Sequence, residues 1–264
     1  MRPNKVLEIW KAGGVAINGW AAIPSPYSAE LLGHQGFDAV TVDLQHGMMG
    51  LDIAVSMFQA LSATPAMPFA RASSNDLAQV NRLLDAGSYG IICPMVSTAE
   101  DARRFADACR YPPEGKRSFG PARGLLYGGP DYFAHANEEI VALAMIETVE
   151  GLENLDAIVD TEGLDGIYVG PNDLCLALGV APSAESEEPA VRDAIRRIVD
   201  TCRDAGKAVG VFCSSGAAAA MRVEQGFNFV TPGNDANVLA GAMRAEVSAA
   251  RGKTTSGAAK GSGY

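Results

Sequence analysis

Val141-Ala142-Leu143-Ala144-Met145-Ile146 runs without interruption into Glu147-Thr148, and one helix-length segment later Gly166-Ile167-Tyr168-Val169 runs into Gly170-Pro171-Asn172-Asp173. Short apolar runs without polar alternation suit strands covered on both faces, as in a parallel sheet. Parallel neighbours need a crossover, and amphipathic segments of helical length separate such runs along the chain. Strands are expected over 15–23, 39–43, 67–71, 90–96, 140–146, 166–170, 209–213 and 227–231. Helices are expected over 28–35, 51–62, 76–86, 98–109, 151–160, in segments up to 205, and over 216–225 and 236–249. The stretch 111–137, rich in Pro and Gly, reads as irregular. Eight strand–helix units in a chain of 264 residues match an α/β fold of the TIM, or (β/α)8, barrel type. An open doubly wound sheet would place a Gly-rich phosphate loop after its first strand, and none is present. One barrel domain is therefore expected over 1–251, with a disordered, Gly-rich tail over 252–264.

Composition narrows the function classes. The 21 basic and 31 acidic side chains leave a formal charge of −10, the wrong sign for a nucleic-acid footprint. The five cysteines include no C-x-x-C pair, so neither a disulfide framework nor a zinc knuckle is expected. No apolar run has the length of a signal peptide or a membrane span. These features predict a soluble cytoplasmic protein without a nucleic-acid or membrane partner.

Chemistry in such a barrel belongs at the carboxyl ends of the strands. Those ends read Asp43-Leu44-Gln45-His46, Phe69-Ala70-Arg71, Ile146-Glu147-Thr148 and Gly170-Pro171-Asn172-Asp173. Each has a bland reading beside the functional one. Asp173 could cap the next helix, Glu147 could be structural, and Arg71 could be an ion-pair partner of either acid. The convergence of all of them on one rim favours a site. Two carboxylates with open positions suit a hard cation, Mg²⁺ or Mn²⁺ with Co²⁺ or others as substitutes, rather than a closed zinc cage. A 2-oxo acid could chelate that cation, with Arg71 set against the developing oxyanion. His46 has the pKa range of a proton shuttle, and Asp43 is expected to orient its ring. No lysine falls at a strand end, so a Schiff-base mechanism is not expected.

Taken together, Asp43-x-x-His46, Arg71 with Asn75-Asp76, Pro94-Met95-Val96, Arg110-Tyr111-Pro112-Pro113, Glu147-Thr148 and Gly170-Pro171-x-Asp173-Leu174 resemble the HpcH/HpaI aldolase (citrate lyase β-like) family. Within it, they resemble the class II pyruvate aldolases. The resemblance covers nearly the whole folded chain. It implies that Glu147 and Asp173 bind the metal, that Arg71 steadies an enolate, and that His46 with Asp43 handles protons through water. It implies that the backbone amides of Asn172 and Asp173 receive the substrate carboxylate, and that Asp85 reaches the histidine of a neighbouring subunit. It also implies a last helix exchanged between subunits, usually in a hexamer built as a trimer of dimers. The implied substrates are a 2-oxo acid (pyruvate or hydroxypyruvate) and an aldehyde.

The chain departs from the family pattern at Gln45, at Gly47-Met48-Met49-Gly50 and at Cys213-Ser214-Ser215-Gly216. These rim changes bear on the choice of aldehyde. Arg117 and Arg123, in the irregular stretch, are candidates to bind a second carboxylate, and the stretch itself a candidate lid or subunit contact. Two further readings stand beside the aldolase: a 2-oxo acid decarboxylase or other C–C lyase on the same site, and a silent oligomeric scaffold.

Overall fold

The computed structural model describes residues 1–252; the expectation of a disordered tail concerns residues that, Gly252 apart, lie outside the described ones. Eight strands close into one barrel in chain order, each parallel to its neighbours. They are β1 (Ala16–Ala21), β2 (Ala39–Asp43), β3 (Met67–Arg71), β4 (Gly90–Cys93), β5 (Val141–Ile146), β6 (Gly166–Val169), β7 (Ala208–Cys213) and β8 (Phe229–Pro232). Around them run α1 (Lys5–Lys11), α2 (Pro26–Gly33), α3 (Leu51–Leu61), α4 (Leu77–Asp85), α5 (Ala99–Cys109), α6 (Ala122–Gly128) and α7 (Tyr132–Glu139). The ring continues with α8 (Val149–Glu153), α9 (Leu155–Val159), α10 (Pro171–Ala177), α11 (Pro189–Asp204), α12 (Gly216–Glu224) and α13 (Asp235–Ala250). Among the described residues no helix is long and apolar enough to cross a membrane.

Local chemistry starts and stops these helices. The side chains of Ser25, Thr98, Thr148, Ser215 and Asn234 each accept a backbone N–H at a helix start, which satisfies one of the donors left open there. Three departures from the sequence reading have local causes. Strand β4 stops at Cys93 because Pro94 has no N–H to continue the ladder. The stretch expected to be irregular contains α6 and α7, helices of 7 and 8 residues, too short to show a period. The first helix, α1, was not anticipated; Asn4 caps it by accepting the Val6 N–H at 3.1 Å.

The barrel interior is filled in layers. Alternate residues point inward along each strand, and Phe69, Phe229 and Tyr168 pack there with ring centroids 5.6 and 6.2 Å apart. A polar chain crosses the same layer. The Asn18 amide donates to Thr231 Oγ1 at 2.9 Å, Thr41 Oγ1 donates to Asn18 Oδ1 at 3.0 Å, and Tyr168 Oη lies 2.7 Å from Thr231 Oγ1. All four residues are fully buried, so the network holds only because its members satisfy one another. Trp20 lies over Tyr168, 5.7 Å between centroids, and forms the floor on which the strand-end residues stand.

Candidate active site

Arg71 and Asp43 face each other across paired strand ends, in register in β2 and β3. The guanidinium donates from Nε to Asp43 Oδ1 at 2.8 Å and from Nη2 to Oδ2 at 2.6 Å, a two-pronged fit that also fixes its plane. The Trp20 indole N–H donates to Asp43 Oδ2 at 3.1 Å, and Arg71 Cζ sits 4.8 Å from the Trp20 ring centroid. Asp43 Oδ1 further accepts the backbone N–H groups of Gln45 and His46 at 3.0 and 3.3 Å. Burial alone would raise the Asp43 pKa, but the Arg71, Trp20 and backbone donors outweigh it and hold the carboxyl below its usual value. The sequence reading gave Asp43 to the His46 ring; in the structure its oxygens anchor Arg71, Trp20 and the turn that carries His46. His46 itself stands exposed at the mouth.

Glu147 follows β5 and is 2% exposed. Its Oε1 accepts the Met95 N–H at 2.8 Å. Burial, reinforced by the negative charge of Asp173, pushes its pKa up to about 7, against the opposing pull of the Met95 N–H and Arg71. Met95 reaches this position with a φ of 56°, the left-handed region that a residue with a side chain enters at a cost of about 1–3 kcal/mol. On the other side, a Cβ added at Gly170 would stand 2.2 Å from Glu147 Oε2. The carboxylate is thus pinned between a strained backbone amide and a bare α-carbon. Asp173, in the first turn of α10, is exposed. The cleft beside it is lined by Trp20, Arg71, Tyr168, Asn172, Asp173 and Phe212.

The donor set fits a hard divalent cation. Among the described residues no three His, Cys, Asp or Glu side chains gather into a ready cage. What the mouth offers is two neighbouring carboxylates, one of them pinned, buried and with its pKa raised to about 7 by that burial. Oxygen ligands completed by water or substrate are the usual environment of Mg²⁺ or Mn²⁺. The lysines lie elsewhere: Lys116 Nζ meets Asp107 at 2.6 Å and Lys207 Nζ meets the Leu164 carbonyl at 2.6 Å.

Asp85, Arg117 and Arg123 are not at this mouth. Asp85 ends α4 and accepts from Arg117 Nη2 at 2.9 Å. Arg123 donates to the Ala86 carbonyl and to Ser62 Oγ, both at 2.7 Å. Helix ends that precede strands lie at the amino-terminal face, so these groups stand at the base of the barrel. The sequence order already required it, since 111–137 follows a helix and precedes a strand. The idea that these arginines hold a substrate carboxylate in this chain's own mouth is therefore corrected. Sequence reasoning missed Trp20, Met95, Gly170 and Phe212 as site residues. One step of strand alternation from Asn18 or Gly210 would have pointed to the two aromatic ones, but nothing local marks Met95.

A model of the HpcH/HpaI aldolase/citrate lyase family matches residues 17–242. The chain is 43% identical over 248 residues to the hydroxypyruvate/pyruvate aldolase of Rhizorhabdus wittichii, covering 94% of this chain and 99% of that protein. It is 39% identical over 245 residues to the 4-hydroxy-2-oxo-heptane-1,7-dioate aldolase of Shigella flexneri, covering 92% and 91% respectively. A solved HpcH/HpaI aldolase/citrate lyase family protein from Burkholderia cenocepacia J2315 superimposes with a TM-score of 0.86 at 28% identity, covering 93% of this chain and 98% of that one.

Proposed function

The chain belongs to the HpcH/HpaI aldolase/citrate lyase family, and from that premise we propose that it joins and cleaves a carbon–carbon bond between a pyruvate-type 2-oxo acid and an aldehyde. One observation carries the reading: a guanidinium locked by two hydrogen bonds shares a strand-end mouth with two carboxylates. Pyruvate and hydroxypyruvate are the donors proposed, in keeping with the name of the Rhizorhabdus wittichii relative.

Glu147 and Asp173 would hold the divalent cation, Mg²⁺, Mn²⁺ or Co²⁺. Bound there, such an ion supplies Lewis-acid polarisation of the donor's keto group. Arg71 presents a fixed positive charge to the oxygen that gains negative charge as the C3 proton leaves, and Asp43 keeps that charge in place. His46, exposed beside them, moves the proton through water. The amides of Asn172 and Asp173 receive the donor carboxylate. In the reverse direction the same groups take up the enolate left when the C3–C4 bond breaks.

A second chain completes this reading. Helix α13 has no buried residue and exposes Val238, Leu239, Met243 and Val247, beside a largely apolar cleft of about 580 Å³ between α2 and α13. Exchange of α13 between subunits would cover both. Asp85, at the base of its own barrel, enters the chemistry only where that base meets a neighbour's mouth, as in the hexamer proposed here.

Donor-only chemistry tests the core of the proposal. Exchange of the C3 protons of pyruvate and hydroxypyruvate with deuterated water, followed by NMR, is expected with Mg²⁺ or Mn²⁺ and abolished by EDTA. Absence of exchange with both donors and every metal would overturn the aldolase reading.

A further inference from the structure

The segments that join each strand to its following helix form the rim above the site, and they share one compositional feature. Residues 22–25, 44–50, 72–76, 94–98, 147–148, 170–188, 214–215 and 233–234 contain no lysine and no arginine. Arg71, the last residue of β3, is the only cation that the strand ends present, and its Nε and Nη2 donors are already taken by Asp43. The arginines nearest the rim on the outer helices are held elsewhere. Arg104 pairs with Asp101 at 2.7 Å. Arg222 donates to Gln225 and to the Ala184 carbonyl at 2.8 and 3.1 Å, and Arg192 lies with it in the groove between α11 and α12. Arg117 is fully buried against Asp85, and Arg123 is bonded to Ser62 and Ala86. Both guanidiniums are therefore engaged by groups of their own barrel's base.

What the rim does present is acidic and apolar. Glu150 and Glu185 stand on it, and Met48, Met95, Val149 and Leu176 are exposed there. An anion entering past these groups loses water without gaining a countercharge, and it meets a repulsive field. A neutral chain meets apolar contacts of the kind that line ligand pockets.

We infer that the aldehyde accepted at this site is uncharged, a short alkyl or hydroxyalkyl aldehyde without carboxylate or phosphate. The inference rests on the aldolase reading above and deepens it. Arg71 with the metal-binding carboxylates handles the one anion the reaction needs, the 2-oxo acid, and no second anionic subsite exists among the described residues of the rim. The acceptor would thereby differ in charge from the carboxylated aldehyde expected of an enzyme named, like the Shigella flexneri relative, for a dioate.

The test uses the full-length protein with Mg²⁺ or Mn²⁺ and whichever donor shows C3 exchange. Two acceptor pairs vary charge at matched carbon-chain length: butanal against succinic semialdehyde, and glyceraldehyde against glyceraldehyde 3-phosphate. The neutral member of each pair is expected to give a kcat/KM at least about tenfold higher, the size of effect that follows from leaving a charge without a partner. Raising the ionic strength should narrow the gap by screening the rim acids. Donor exchange together with equal or faster turnover of the charged members would overturn this inference while leaving the aldolase reading intact. Loss of donor exchange itself would overturn both.

Discussion

At the mouth of the barrel Arg71 meets Asp43 through hydrogen bonds of 2.8 and 2.6 Å, whereas at the base Arg117 meets Asp85 through one of 2.9 Å. Both arginines are buried, at 4% and 1% exposure, yet the acids respond in opposite ways. Asp43 is held below its usual pKa because Arg71, the Trp20 N–H and two backbone N–H groups outweigh burial. Asp85 is raised, because burial outweighs its single partner Arg117. Arg117 in turn lies against Tyr111 and Tyr132, 4.4 and 5.5 Å from their centroids, and its Nε has no partner. The number of donors aimed at a carboxylate, more than the presence of an arginine, decides whether the pair is a fixed charge or a packing element. The mouth pair is built to keep its charge; the base pair, within one chain, leaves Asp85 with a single donor and a raised pKa.

Breaking the mouth pair should have the largest effect on turnover. Arg71→Met is expected to lower kcat/KM by about 10²–10³-fold, the range seen when one donor to a developing oxyanion is removed. Steady-state kinetics on a variant with wild-type circular dichroism checks it, and a fall below tenfold would detach Arg71 from the chemistry.

Glu147 gives the next largest effect, through pH. Its pKa is raised from 4.5 to about 7 in the fold, so the folded state binds the proton more tightly than the unfolded chain. Its contribution to stability is therefore full below about pH 4.5 and is lost as pH rises to about 7, roughly 3 kcal/mol in metal-free protein. Urea unfolding across that window, with Glu147→Gln flattening the slope, measures it. The same proton competes with metal, so affinity should fall about tenfold per pH unit below 7 and level off above it. A flat metal-binding profile from pH 5 to 8 would contradict the assignment.

The base pair should answer in stability instead. Arg117→Met leaves Asp85 a route to solvent, since Asp85 is 26% exposed, and should cost about 2–3 kcal/mol, somewhat less than breaking a fully buried pair. Urea unfolding at fixed protein concentration is the measurement.

Gly170→Ala sharpens the comparison with the smallest expected change. Its Cβ would press to within 2.2 Å of Glu147 Oε2, moving one carboxylate while leaving every charge in place. Metal affinity by calorimetry should drop about tenfold, as small displacements of a site group do. Unchanged affinity would mean that Glu147 has freedom the packing does not suggest.

Much of this site was legible before folding was considered. Asp43, Arg71, Glu147 and Asp173 stand out because ionisable residues end apolar runs that the barrel covers on both faces. The partnerships among them were less legible. Asp43 lies three residues from His46 and 28 from Arg71, and sequence proximity pointed to His46. Strand pairing in register, Asp43 opposite Arg71, added the arginine. The stretch 111–137 shows the same limit: its arginines look available in a Pro- and Gly-rich segment, but α6 and α7 tuck them against the ends of α3 and α4.

By itself, then, the sequence determined the alternation of strands and helices, the closed parallel barrel, and the ionisable residues at its strand ends. Periodicity and residue chemistry are local properties, and a barrel translates position along a strand directly into position at the mouth. Only the tertiary structure decided which charge neutralises which, how the Met95 amide and the bare α-carbon of Gly170 pin Glu147, and which end of the barrel receives each arginine. Those outcomes depend on distances between residues far apart in the chain, and Coulomb energies and desolvation costs are set by such distances and by burial.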